Sequence, residues 1–96
     1  MTDARRFRKN GRAAVRRIAD ETLLVPVCGR PSQMKNVYIL NELAEFIWRR
    51  LDEEPTLDEL VASVVDRFEV DRKRARRDAA EFVGRLLEND LIQERP

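Results

Sequence analysis

Residues 37–48, Val-Tyr-Ile-Leu-Asn-Glu-Leu-Ala-Glu-Phe-Ile-Trp, constrain the fold of this chain more than any other stretch. An apolar run of strand type, Val37-Tyr38-Ile39-Leu40, stops at Asn41 and passes into helical period with no loop between. Asn is a favoured N-cap because its side-chain oxygen accepts a hydrogen bond from a free backbone N–H of the first turn. The strand is therefore locked to the helix that follows. Nothing on the corner reads as catalytic, so it reads as a docking surface rather than an active site.

Strand-type signals precede the corner and helical period follows it. Residues 1–11 read as a basic arm, mobile at its start. Residues 13–18 carry a weak strand signal around Val15 and Ile18, 19–21 a tight turn, and 22–27 a second strand rich in Leu and Val. Pro26 lacks an N–H and belongs at an edge or near the strand end. Residues 28–36 hold Gly29, Pro31, Ser32 and Asn36, which is loop chemistry. The third strand is 37–40. A first helix carries Leu43, Ala44, Ile47 and Leu51 on one stripe, with Phe46 and Trp48 beside it, and ends at residues 52–55. Thr56 and Glu59 have capping-box spacing at the start of a second helix. Its Leu57, Leu60, Val61, Val64, Val65 and Phe68 fit the helical template without a miss. Asp71 caps a third helix, 71–88, whose stripe is Ala75, Ala79, Phe82, Val83, Leu86 and Leu87. Asn89 and Asp90 stop it, and Leu91-Ile92 either form a short return strand or cover the core. Three short strands need helices to pack against. The expected fold is therefore α+β: a three-stranded antiparallel sheet followed by three helices, in a winged helix-turn-helix-like arrangement.

Composition narrows function by exclusion. The chain has 96 residues, enough for one domain with one modest core, expected over 12–96. No His is present, which removes His-based triads, bases and metal ligands. The single cysteine, Cys28, makes neither an internal disulfide nor a thiolate zinc site, and a nucleophile without a His base is a poor candidate. No cofactor and no metal are expected, and any enzyme hypothesis would have to rest on Asp, Glu, Lys, Arg, Ser or Cys alone. No apolar run approaches a membrane span, and the basic N-terminus lacks the apolar segment of a secretory signal. The expected location is the cytoplasm. Charge is segregated: residues 1–17 carry seven Arg/Lys against one acid, 18–71 five against twelve, and 72–96 seven against five. A polyanion would have to meet one of the two ends.

With this order in place, the chain resembles the PqqD-like family, whose members are peptide-recognition domains of ribosomally made, modified peptide pathways, also called RiPP recognition elements. The resemblance rests on Thr22-Leu23-Leu24-Val25-Pro26-Val27 and on Val37-Tyr38-Ile39-Leu40-Asn41-Glu42, followed by Ala44, Ile47-Trp48 and Leu51-Asp52. It continues through Thr56-Leu57-Asp58-Glu59-Leu60-Val61, Phe68-Glu69-Val70-Asp71, Leu86-Leu87 and Asn89-Asp90-Leu91-Ile92. One departure stands out. Many members join the second and third strands by a short turn with an acid and a Gly, where this chain has the longer run from Cys28 to Asn36. The resemblance implies peptide capture without catalysis. A precursor's leader would add as an extra strand beside 37–40, in the groove against the third helix, and would be presented to a separate modifying enzyme. By family analogy that enzyme is a radical SAM protein, and synthesis of the quinone cofactor PQQ is one of many pathways served.

Strand addition agrees with the residues themselves. An exposed strand normally alternates, yet Val37-Tyr38-Ile39-Leu40 is apolar on both faces. As an edge it would be a template in need of a cover, either a leader or a second copy of the chain. As a core strand it would need none. On the third helix Arg74, Asp78, Glu81 and Arg85 fall on one flank of the stripe beside Phe82. They either line the leader groove around that apolar anchor or form an exposed i, i+4 network. The candidate peptide-binding residues are thus Val37, Tyr38, Ile39, Leu40, Arg74, Asp78, Glu81, Phe82 and Arg85.

The rival function is a winged-helix DNA-binding regulator using helix 71–88. Arg72, Lys73, Arg74, Arg76 and Arg77 cluster at its start, where such proteins read the major groove. Against nucleic acid stand the acidic middle, the absence of a basic wing, and Asp78 and Glu81 one turn later. The same cations also read as a solvated helix face. Phe7 among the arm's cations is placed to dock back on the sheet, and Trp48 reads as a partly buried core or interface residue.

Overall fold

In a computed structural model of the chain, residues 4–27 and 38–95 are described. The start of the basic arm, the 28–36 loop with Cys28, and Val37 of the third expected strand lie outside them. Strands β2 (Ala13–Ile18), β3 (Glu21–Pro26) and β4 (Tyr38–Leu40) form an antiparallel sheet in the order β2-β3-β4. The expected α+β class, with a three-stranded antiparallel sheet followed by three helices in winged-helix order, is the one observed. The period of two explains how the sheet packs. Thr22, Leu24 and Pro26 of β3 are buried on one face, and Tyr38 and Leu40 of β4 join them there through the pairings Leu24–Tyr38 and Thr22–Leu40. Leu23 pairs with Ile39 on the opposite face. The β2–β3 turn holds only Ala19 and Asp20, and Ala19 enters the left-handed region with φ 56°.

Three helices follow: α1 (Glu42–Arg50), α2 (Leu57–Phe68) and α3 (Arg72–Glu88). The strand-to-helix corner is built as its sequence requires, since Asn41 keeps an extended backbone and its side chain accepts the Ala44 N–H at 2.8 Å. Thr56 and Glu59 form the full capping box at the start of α2. Asp71 caps α3 by accepting the Lys73 N–H at 3.4 Å. The helical period marks the buried stripes, with Leu57, Val65, Phe68, Phe82 and Leu87 half-buried at their margins. Leu60, Val61 and Val64 of α2 and Ala75, Ala79, Val83 and Leu86 of α3 meet Ile47, Trp48 and Leu51, all of them buried.

Where the sequence reading has a basic arm over 1–11, Arg6–Lys9 form a strand, β1. It pairs antiparallel with β5 (Ile92–Arg95), so the return strand exists and finds its partner at the other end of the chain. Phe7 is 3% exposed and belongs to the core, and its N–H donates to the Pro55 carbonyl at 3.0 Å. With one apolar residue among three cations, β1 has too short an alternation to stand out as a strand. Its burial comes from β5 and from the turn before α2, elements far away in the sequence.

This second sheet is tied to α2 by charge. The Arg6 guanidinium donates to the Glu54 carbonyl at 2.9 Å and to the Glu59 carboxylate at 3.1 Å, and Arg95 donates to the Glu54 carboxylate at 2.6 Å. The hydrogen bond from Arg95 holds the Glu54 carboxyl below the ordinary glutamate range. The Thr56 N–H does the same for Glu59, helped by Arg6. A carboxyl depressed in the folded state stabilises the fold at neutral pH and loses that contribution as pH falls through and below the ordinary glutamate range. Melting temperature is therefore expected to drop on the acid side of that range. The drop should be shallower in a variant carrying Arg95→Gln and Glu59→Gln, as thermal melts over a pH series would measure. Because both carboxylates face water, the change in slope is the readout and its size is small.

Candidate functional site

The site follows from where the chain leaves β4. Among the described residues β4 is the last strand of its sheet, with β3 on one side only. The backbone N–H and C=O groups on the outer side of an edge strand are left unpaired by their own sheet. Beyond that edge lies α3, and between them runs an open groove of about 300 Å3. Tyr38, Ile39, Leu40 and Asn41 form one wall, and Asp78, Glu81, Phe82 and Arg85 form the other across two turns of α3. Leu43, Ala44 and Ile47 of α1 make an apolar floor. The Asn41 cap creates this geometry, because it turns the chain out of β4 directly into α1 and sets the helix beneath the strand.

Of the nine residues singled out in the sequence, the groove gathers seven: Tyr38, Ile39, Leu40, Asp78, Glu81, Phe82 and Arg85. Val37 lies outside the described residues. Arg74 is absent from the lining and instead sits one turn earlier on α3, with its Nε 3.8 Å from Asp78. The walls of β4 differ by face. Leu40 is 6% exposed and points into the core, while Ile39 is 67% exposed, the most exposed large apolar side chain among the described residues. The floor residues were legible as a helix stripe in the sequence but not as part of a site. The signal that could have placed them is the absence of a loop between strand and helix, which makes α1 a neighbour of β4.

The two carboxylates of the α3 wall are held differently. Glu81 and Arg85 are linked at 3.1 Å, and both side chains are about 60% exposed. Asp78 is less exposed, at 32%, and its cations stand farther off: Arg74 Nε at 3.8 Å and Arg77 Nε at 3.7 Å. None of these pairs contributes much to folding in water. An apolar floor, an edge strand on one wall and charged residues on the other are suited to holding an extended chain.

The basic start of α3 is partly committed to the fold. Arg76 pairs with Asp58 of α2, and Arg74 and Arg77 both lean toward Asp78. The β2–β3 hairpin carries exposed Arg16 and Arg17, and Arg17 lies within 4.0 Å of Glu45. Among the described residues, no helix is long and apolar enough to cross a membrane.

Two solved structures share this architecture. One, a lasso peptide synthetase B1 complexed with the leader peptide, superposes with a TM-score of 0.70 at 25% sequence identity, over 91% of this chain and 96% of that one. The other, TbiB1 in complex with the TbiA(beta) leader peptide, gives a TM-score of 0.69 at 23% identity, over 90% of this chain and 94% of that one. No curated protein sequence matches the chain. The family described as coenzyme PQQ synthesis protein D (PqqD) matches residues 11–92, from the start of the three-stranded sheet to the start of β5. The chain belongs to the PqqD family.

Proposed function

We propose that the protein is a non-catalytic adaptor that captures the leader segment of a ribosomally made precursor peptide and presents it to a separate modifying enzyme in the cytoplasm. One observation carries this reading: the edge of β4 faces α3 across an open, apolar-floored groove. A leader entering there would add a fourth strand to β2-β3-β4. Main-chain hydrogen bonds to β4 would supply affinity, and side-chain pockets specificity. Tyr38, Ile39, Leu40, Asp78, Glu81, Phe82 and Arg85 would touch the peptide, with Arg74 standing behind Asp78. The recognition unit would span 12–96, and β1 gives no side chain to the groove lining. Holding substrate and enzyme together raises effective concentration rather than lowering a chemical barrier. The two solved neighbours, both held with leader peptides, support the reading.

The test is a titration with the leader of the short peptide encoded beside the gene, followed by backbone amide shifts. Shifts concentrated in β4 and along residues 78–85 are expected, and duplex DNA in parallel should leave them unmoved. Shifts confined to 72–77 with DNA, and none with leader, would favour the regulator instead. Light scattering at the titration concentrations checks whether a second copy of the chain occupies the β4 edge.

A further inference from the structure

We infer that the leader this groove selects carries a Lys or Arg two positions from an apolar anchor, the cation facing Asp78 and the anchor seated against Phe82 and the floor. The inference rests on the strand-addition reading above and adds the chemistry of the peptide. Spacing comes first. Asp78 and Phe82 are four residues apart on α3, about 6 Å along the helix axis. Same-face residues of an extended strand, i and i+2, are separated by about 6.6 Å. A strand lying between β4 and α3 therefore presents one side chain to each, with a single outward-facing residue between them. Beside that outward residue stands Ile39, two-thirds exposed on the other face of the sheet.

Charge decides what faces Asp78. A peptide filling the groove strips water from this carboxylate, which is already the less exposed of the two on the wall. A carboxylate removed from water is costly unless a partner meets it. Arg74 and Arg77 stand beyond hydrogen-bond reach of it, with side chains 68% and 72% exposed. Recruiting either would freeze a long, hydrated side chain. A cation carried by the peptide meets the carboxylate from the groove side, where the peptide has displaced its water. Glu81 makes no such demand, because Arg85 is bonded to it and both remain well hydrated. Asp78 is thus the position that discriminates by charge.

The test uses a display library of short random peptides, selected in parallel on the parent protein, on Asp78→Lys and Asp78→Asn, and on Asp66→Asn, an exposed carboxylate of α2 away from the groove. Selected peptides are then synthesised and mapped by amide shifts. The parent should enrich Lys or Arg two positions from an apolar residue, and Asp66→Asn should do the same. Asp78→Asn should lose the cation and keep the anchor, while Asp78→Lys should enrich Asp or Glu at the cation's position. A synthetic Lys-bearing peptide should bind Asp78→Lys about tenfold more weakly than the parent. Peptides that shift β4 but show one motif on all four proteins would overturn the charge inference and leave strand addition standing. Peptides that leave β4 unshifted, or no enrichment at all, would overturn both. Asp78→Asn serves where Lys perturbs the helix, since a cation preference retained there overturns the inference by itself.

Discussion

Replacing Phe7 with Ala is expected to cost about 3–5 kcal/mol of folding stability, the range for a large aromatic removed from a packed core. A domain of this size holds only about 5–15 kcal/mol in total, so this one change in an apparently basic arm would bring the protein close to unfolding. Phe7 is 3% exposed and reaches the core cluster that includes Trp48, Leu51, Leu60 and Ile92. Its loss also weakens the hold of β1 on β5 and on Pro55. Arg8→Ala on the same strand, whose side chain is exposed, serves as the comparison and should stay within about 0.5 kcal/mol of the parent. Urea unfolding followed by Trp48 fluorescence reads both, because the buried indole, with Lys9 Nζ 4.4 Å from its ring, lies close to the β1 strand. A Phe7→Ala protein as stable as the parent would mean that the segment hangs free.

The same residue shows where sequence reasoning stops. The α2 stripe was legible because six apolar residues at helical spacing leave no competing period, and Leu60, Val61 and Val64 are buried accordingly. The corner at Asn41 was legible because capping is a local interaction, settled within four residues. The β1–β5 sheet is settled by residues more than eighty positions apart, with Arg6 opposite Arg95 and Lys9 opposite Ile92. Neither four-residue strand has enough alternation to announce itself. Leu91 and Ile92 did carry a signal, as apolar residues after a helix stop, and both are buried.

The candidate site divides in the same way. Asp78, Glu81, Phe82 and Arg85 share one flank of α3 by simple helical geometry, so their clustering could be read from spacing. That spacing also admitted Arg74, which stands one turn before the lining formed by the described residues and leans toward Asp78. The floor was illegible as a site. Ile47 is fully buried and Ala44 half-buried, as in any core stripe, and only the position of β4 above α1 makes their upper surface the base of a groove.

That floor gives the sharpest functional test. Ala44→Phe is expected to weaken leader binding by at least about 100-fold, some 3 kcal/mol, while leaving the fold intact. Ala44 is half-buried and lines the open groove, so a benzyl group there can grow into space that the peptide would need. The helix itself should lose only about 0.5 kcal/mol from the poorer propensity of an aromatic residue. Ala62→Phe supplies the control. It makes the same substitution at an exposed position of α2 that lines a different surface depression, with Arg50 and Ser63, and should bind leader as the parent does. Calorimetric titration with the leader, alongside thermal melts of both variants, separates a blocked groove from a damaged fold. If Ala44→Phe melts like the parent and still binds leader with unchanged affinity, the peptide does not lie between β4 and α3. Both the adaptor's mechanism and the charge rule at Asp78 would then have to be abandoned together, because each requires an extended chain above Ala44.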